Sequence, residues 1–152
     1  MSATKGAAAA AILVLATVRP AMADDGVLGR WVTPGASAIV ELVRCADAPT
    51  ICGTIRWLWD ATDDKGRPRL DSQNADAGLR TRPLLGLTIL SNLAPRSGGG
   101  WEGRIYNPED GQSYRAAIIR RGADSLVVEG CVLFVCQKQI WRKASALAEA
   151  LR

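Results

Sequence analysis

The chain has 152 residues, a formal net charge of +4, four cysteines, five tryptophans and no histidine. One hydrophobic core suits this length, and so small an excess of cations, two of which (Lys5 and Arg19) lie near the N-terminus, excludes counterion-driven nucleic-acid binding. Without imidazole, Ser-His-Asp and Cys-His catalysis and histidine-ligated zinc are excluded as well.

In chain order, residues 1–23 read as a cleaved secretory leader. Lys5 precedes an apolar run over 7–18 that is too short to span a bilayer, and Ala21-Met22-Ala23 forms a small-residue cleavage site before Asp24-Asp25. No later stretch is long and apolar enough to cross a membrane as a helix, so residues 24–152 are expected as a single periplasmic or secreted domain. Period-two segments rich in β-branched and aromatic residues follow over 28–33, 38–44, 52–59, 88–93, 100–106, 113–120, 125–131 and 136–143. In the third, alternation puts Ile55, Trp57 and Trp59 on one face, with Thr54 and Arg56 outward. The turns between later segments carry Ser97-Gly98-Gly99-Gly100, Asn107-Pro108-Glu109-Asp110-Gly111 and Arg121-Gly122-Ala123-Asp124. Only 144–151 reads as helix. Short strands joined by tight turns predict an all-β fold, an eight-stranded antiparallel up-and-down barrel whose closure removes exposed edges.

Export places Cys45, Cys52, Cys131 and Cys136 in an oxidising compartment, where they read as disulfides. Of the three connectivities, the local one, Cys45 with Cys52 and Cys131 with Cys136, asks least of the fold, each bridge closing its own hairpin. Neither spacing is C-x-x-C, which argues against zinc. Asp60, Thr62, Asp64 and Asp71 fall at calcium-loop positions, but Lys65 stands where that loop needs glycine, so no metal is expected.

Residues 60–87 form a connection far longer than the ~4–6 residues usual in compact domains, and such loops are commonly functional. Within it, Asp71-x-x-Asn74-x-Asp76-x-x-Leu79-Arg80-x-Arg82-Pro83-Leu84-Leu85-Gly86 resembles the central motif of the bacterial family known as domain of unknown function 2147. Further landmarks agree: Gly29-x-Trp31, Cys52-Gly53-x-Ile55-x-Trp57, Trp101-x-Gly103-x-Ile105-Tyr106-Asn107-Pro108, Gly111-x-x-Tyr114, Gly130-Cys131 and Trp141-Arg142. The chain departs from that pattern at Ala75 and Ala77, where the family usually has proline, and at Gly78, where it has alanine. The resemblance implies an exported lipocalin-like barrel and no settled activity. It also implies that Trp31 closes one barrel end beneath an arginine from near the last strand, for which Arg142 is the candidate.

A closed end leaves the other mouth open, and an eight-stranded barrel either fills its interior or holds one small ligand. The binding expectation is that several of the aromatic residues Trp57, Trp59, Trp101, Tyr106 and Tyr114 line a pocket, with polar contacts from Asp71, Asn74, Arg80 and Arg82 on a loop that forms the mouth. Arginine there would select an anionic head group through its bidentate fork. On this expectation, replacing Arg80 and Arg82 abolishes capture and leaves stability nearly unchanged. The competing reading makes the aromatics core and lets Arg80 pair with Asp71 or Asp76 to hold the loop shut. An enzyme would have to rest on Asp71, Asp76, Glu109 or Asp110, as in glycan hydrolysis, and no cofactor motif is written. The sequence thus points to a non-catalytic protein that binds a small hydrophobic, amphipathic or anionic ligand, with an envelope protein partner as the alternative.

Overall fold

The computed structural model describes residues 26–46 and 48–146. The predicted leader and most of the predicted C-terminal helix lie outside them; residues 144–146 are helical. Eight strands, β1 (Gly29–Val32), β2 (Ala38–Arg44), β3 (Ile51–Leu58), β4 (Thr88–Pro95), β5 (Trp101–Asn107), β6 (Gln112–Arg120), β7 (Ser125–Val132) and β8 (Val135–Lys143), pair antiparallel in sequence order. The ring closes where Trp31 and Val32 of β1 meet Lys143 and Arg142 of β8. Both local disulfides are present, Cys45–Cys52 across the β2–β3 connection and Cys131–Cys136 across the β7–β8 hairpin.

An up-and-down chain sends alternate connections to opposite ends, and here the two ends differ. One end carries the β2–β3, β4–β5 and β6–β7 turns and holds the densest core. There Trp31, Trp101 and Trp141 pack with Leu42, Ile51, Leu93, Ile118 and Leu126, all buried. Both fully enclosed indoles have polar partners: Trp31 Nε1 donates to Val27 O at 2.7 Å and Trp141 Nε1 to Gln139 Oε1 at 2.9 Å. The other end carries the β1–β2 turn, the long loop, the β5–β6 turn and the β7–β8 hairpin.

The cation over the Trp31 ring is Lys143, with Nζ 4.5 Å from the centroid, and not Arg142. The register explains the difference. Lys143 pairs directly with Trp31 and shares its inner face, whereas Arg142 pairs with Val32, one residue out of phase, and donates to Ser125 Oγ at 2.7 Å. Lys143 Nζ also donates to Leu28 O at 2.7 Å, which fixes it over the ring.

In β3 the expected alternation breaks. Val40 pairs with Ile55, but Ile39 pairs with Trp57, so Arg56 is an extra residue and the strand bulges there. Past the bulge the faces exchange. Leu58 packs on the core opposite buried Ala38, and Trp57 and Trp59 turn outward, 40% and 76% exposed, meeting edge to face at 6.1 Å.

Candidate functional site

The long loop folds on itself. Isolated bridges pair Thr62 with Pro68 and Leu70 with Pro83, and Asp71 N donates to Arg82 O at 2.9 Å. These bonds bring the two halves of the motif together around one carboxylate. Asp71 is fully buried and accepts from Tyr106 OH at 2.5 Å, from Asn74 Nδ2 at 2.8 Å, and from Arg82 Nε and Nη2, each at 2.8 Å. Asn74 Nδ2 also donates to Tyr106 OH at 2.9 Å, and the Arg82 guanidinium lies 5.6 Å from the Tyr106 ring centroid. Burial pushes the Asp71 carboxyl up, but hydrogen bonds from Tyr106, Asn74 and Arg82 outweigh it and hold the group below the ordinary carboxylate range. Burial, then the bond to Asp71 and its charge, push the Tyr106 hydroxyl up.

The structure thus brings Asp71, Asn74, Arg82 and Tyr106 together, with Arg80 at the margin, where Nε donates to Asn74 O at 2.7 Å. Their polar atoms face one another, and they sit on the outside of the barrel. The unbroken β5–β6–β7 register aligns Trp101, Ile118 and Val128 on the inner face, with Gly103 and Ile105 in phase with Trp101, so Tyr106 is on the outer face of β5. The loop accordingly braces the wall beside the rim. Asp71 pairs with Arg82 where the loop-holding reading named Arg80. Trp57 lies apart on the outer face of β3. Tyr114 is also apart, on the inner face of β6, donating to Asp110 Oδ2 at 2.6 Å.

Two further carboxylates, Asp76 and Asp110, hold local structure. Asp76 Oδ1 accepts from Gly78 N at 2.8 Å, which caps the short turn Ala77–Leu79 where the prolines are missing. Asp110 accepts from Asn107, Tyr114 and the Gln112 backbone. Among the described residues, Glu129, Cys131 and Cys136 are close enough to share an ion, but both sulfurs are consumed by their disulfide.

The interior offers a different constellation. Continuing the inner rows toward the loop end gives Gly103–Ala116–Gly130–Gln137 and then the pairs Ile105–Tyr114 and Val132–Val135. The first of these rows carries little side-chain volume at Ala116 and Gly130, whereas the space at Gly103 is taken by the Ser91–Asn92 backbone of β4. Gln139 is inner-facing, since it holds the buried Trp141 ring, and Gln137 follows two residues along; yet Val135, Gln137 and Gln139 are all exposed. Residues 135–140 are exposed on both faces because β1 pairs with β8 only at Trp31–Lys143 and Val32–Arg142, so the inner face of β8 meets solvent beside the short β1. The sequence carried a signal for it that strand alternation alone makes visible: with Trp141 in the core, Gln137 and Gln139 fall on core positions. A separate cleft of ≈ 680 Å³ lies outside, between the loop and the β5–β6 turn, with Leu70, Leu84 and Pro108 in its walls and ion-paired Arg67 and Arg69 beside them.

No curated protein matches the chain. Among solved structures, it is similar to a Helicobacter pylori protein described as "Protein HP1028 from the human pathogen Helicobacter pylori belongs to the lipocalin family". The TM-score is 0.66 and the identity 17%, over 80% of this chain and 86% of that one, a likeness of fold. Residues 29–143 match the family described as an uncharacterized protein conserved in bacteria, DUF2147. That span takes in every barrel strand, and the chain belongs to the DUF2147 family.

Proposed function

We propose that this protein is an exported, non-catalytic binding protein that holds a small amphipathic molecule in the open half of its barrel. The observation that carries the reading is the solvent-accessible inner face of β8, where exposed Gln137 and Gln139 adjoin buried Trp141. Ile105, Ala116, Val132 and Val135 supply apolar walls, and Gly130 leaves room. The Gln139 carbonyl is occupied by Trp141, which leaves its NH₂ to donate to a carbonyl, ether or hydroxyl oxygen of the ligand. A neutral polar head fits this lining better than an anion, because Arg82 is bonded to Asp71 on the outer wall and Arg80 to the Asn74 carbonyl. Export is supported by two disulfides, which persist in oxidising compartments. No helix among the described residues is long and apolar enough to cross a membrane.

Native mass spectrometry of protein prepared gently from its producing cell tests the reading. A discrete adduct that dissociates on denaturation is the expected result. A clean apo mass, with no uptake of added monoacylglycerol, contradicts it.

A further inference from the structure

The tip of the β7–β8 hairpin is built against the ordinary rules for a turn in water. Its two central residues, Leu133 and Phe134, are 87% and 98% exposed, flanked by exposed Val132 and Val135. Two-residue hairpin turns normally use glycine or asparagine, because a central residue takes positive φ. Here Leu133 occupies that conformation at φ +52°, unfavourable for a branched apolar side chain. The Cys131–Cys136 bridge joins the pair of residues one step below and holds this turn closed. Neither the exposed apolar surface nor the backbone conformation helps the barrel to fold.

Directly beneath, on the outer face, the register forms the row Arg104–Arg115–Cys131–Cys136. Two arginines stand opposite each other across β5 and β6, a destabilising arrangement unless an anion is shared. Arg115 has one exposed ion pair, with Glu102 at 2.9 Å, and Arg104 donates to the Ser113 carbonyl. Lys138 and Glu129 pair with each other one row lower. At ~3.3 Å per residue the tip projects roughly 7–10 Å past the arginine row, a depth comparable to the ~5–10 Å by which interfacial segments enter a bilayer. Trp57 and Trp59, exposed at the same barrel end, are the residue type enriched at membrane–water boundaries.

We propose that the Leu133–Phe134 tip inserts into the surface of an anionic lipid bilayer, with Arg104 and Arg115 meeting lipid phosphates. A convex tip with its apolar chains fully displayed suits insertion into a fluid apolar layer, and the cation row supplies charge complementarity to the head groups. The proposal is independent of the ligand reading, although it would bring the exposed inner face of β8 to the membrane.

The test is co-sedimentation with vesicles of equimolar phosphatidylglycerol and phosphatidylcholine, beside vesicles of phosphatidylcholine alone. Wild-type protein binds the anionic vesicles. The double variant Leu133→Gly, Phe134→Asn, which gives the turn its favoured residues and keeps the fold, loses at least about tenfold in partitioning. Arg104→Gln with Arg115→Gln loses about thirtyfold on anionic vesicles, at roughly five- to sixfold per basic residue, and little on neutral ones. Gly130→Leu, which fills space on the inner face, leaves vesicle binding unchanged. Wild-type protein that sediments with neither vesicle overturns the proposal, as does a tip variant that binds like wild type. A dimer in light scattering that the tip variant dissolves, without vesicle binding, overturns it in favour of self-association.

Discussion

Tyr106 donates its hydroxyl to Asp71 Oδ1 at 2.5 Å, joining the outer face of β5 to the middle of the long loop. With Arg82 and Asn74 on the second carboxylate oxygen, this contact turns the most distinctive motif of the sequence into a latch. The loop is thereby held to the barrel wall.

The latch predicts an acid limit to stability. The folded-state pKa of Asp71 is depressed, so its contribution is present above the unfolded value of about 3.9 and is lost as pH falls through the folded value. Asp63 and Asp110, also depressed, act in the same direction. Thermal midpoints measured downward from pH 5 should fall, and Asp71→Asn should flatten the fall. Tyr106 is raised, so its contribution is present below about pH 10 and is lost as pH rises further.

Arg82→Ala strands a buried carboxylate and should cost about 2–3 kcal/mol, read from urea midpoints. Arg80→Ala breaks bonds to the loop carbonyls of Asn74 and Ala75 and should cost about 1 kcal/mol. The expectation from sequence that both can be replaced without loss of stability does not survive the Asp71–Arg82 geometry.

Gly111, at φ +70°, packs so closely on the loop that any Cβ would overlap the Gln73 carbonyl oxygen. Gly111→Ala should therefore prise the β5–β6 turn from the loop at a cost of about 2–4 kcal/mol. Limited proteolysis should then cut within residues 60–87 in the variant before it cuts the wild type.

At the closed end, Lys143→Ala should lower stability by ~0.5–2 kcal/mol through loss of the cation over Trp31. Arg142→Ala removes an exposed bond to Ser125 and should cost less than about 0.5 kcal/mol. Chemical denaturation of the two variants side by side separates the two cations.

The strands and the two local disulfides were legible because alternation and short cysteine spacing are local properties of the chain. The bulge at Arg56 was not. One extra residue reverses every later side chain, and nothing in Ile55-Arg56-Trp57-Leu58 announces it, so Trp57 and Trp59 read as inner residues. The same one-residue phase separates Lys143 from Arg142 over Trp31. The loop motif was visible as a motif, but its role depends on Tyr106, which pairs with Asp71 across 35 positions, and local patterning does not report such a contact. Gln137 and Gln139 fall on the inner face by simple alternation with Trp141, a local pattern that the sequence does show.

The central claim is that the barrel interior beside Gln137 and Gln139 holds a ligand. The most direct measurement is a fluorescence titration with N-phenyl-1-naphthylamine, an uncharged apolar probe with one polar N–H, on wild-type protein and on Gly130→Leu. At Gly130 an added Cβ meets only the Ile105 side chain, at 3.4 Å, so a larger side chain can enter the interior without breaking the wall. Saturable one-to-one enhancement in the wild type, with loss of at least tenfold in affinity in the folded variant, is the predicted result. Equal binding by both proteins, or no saturable binding by either, would contradict it.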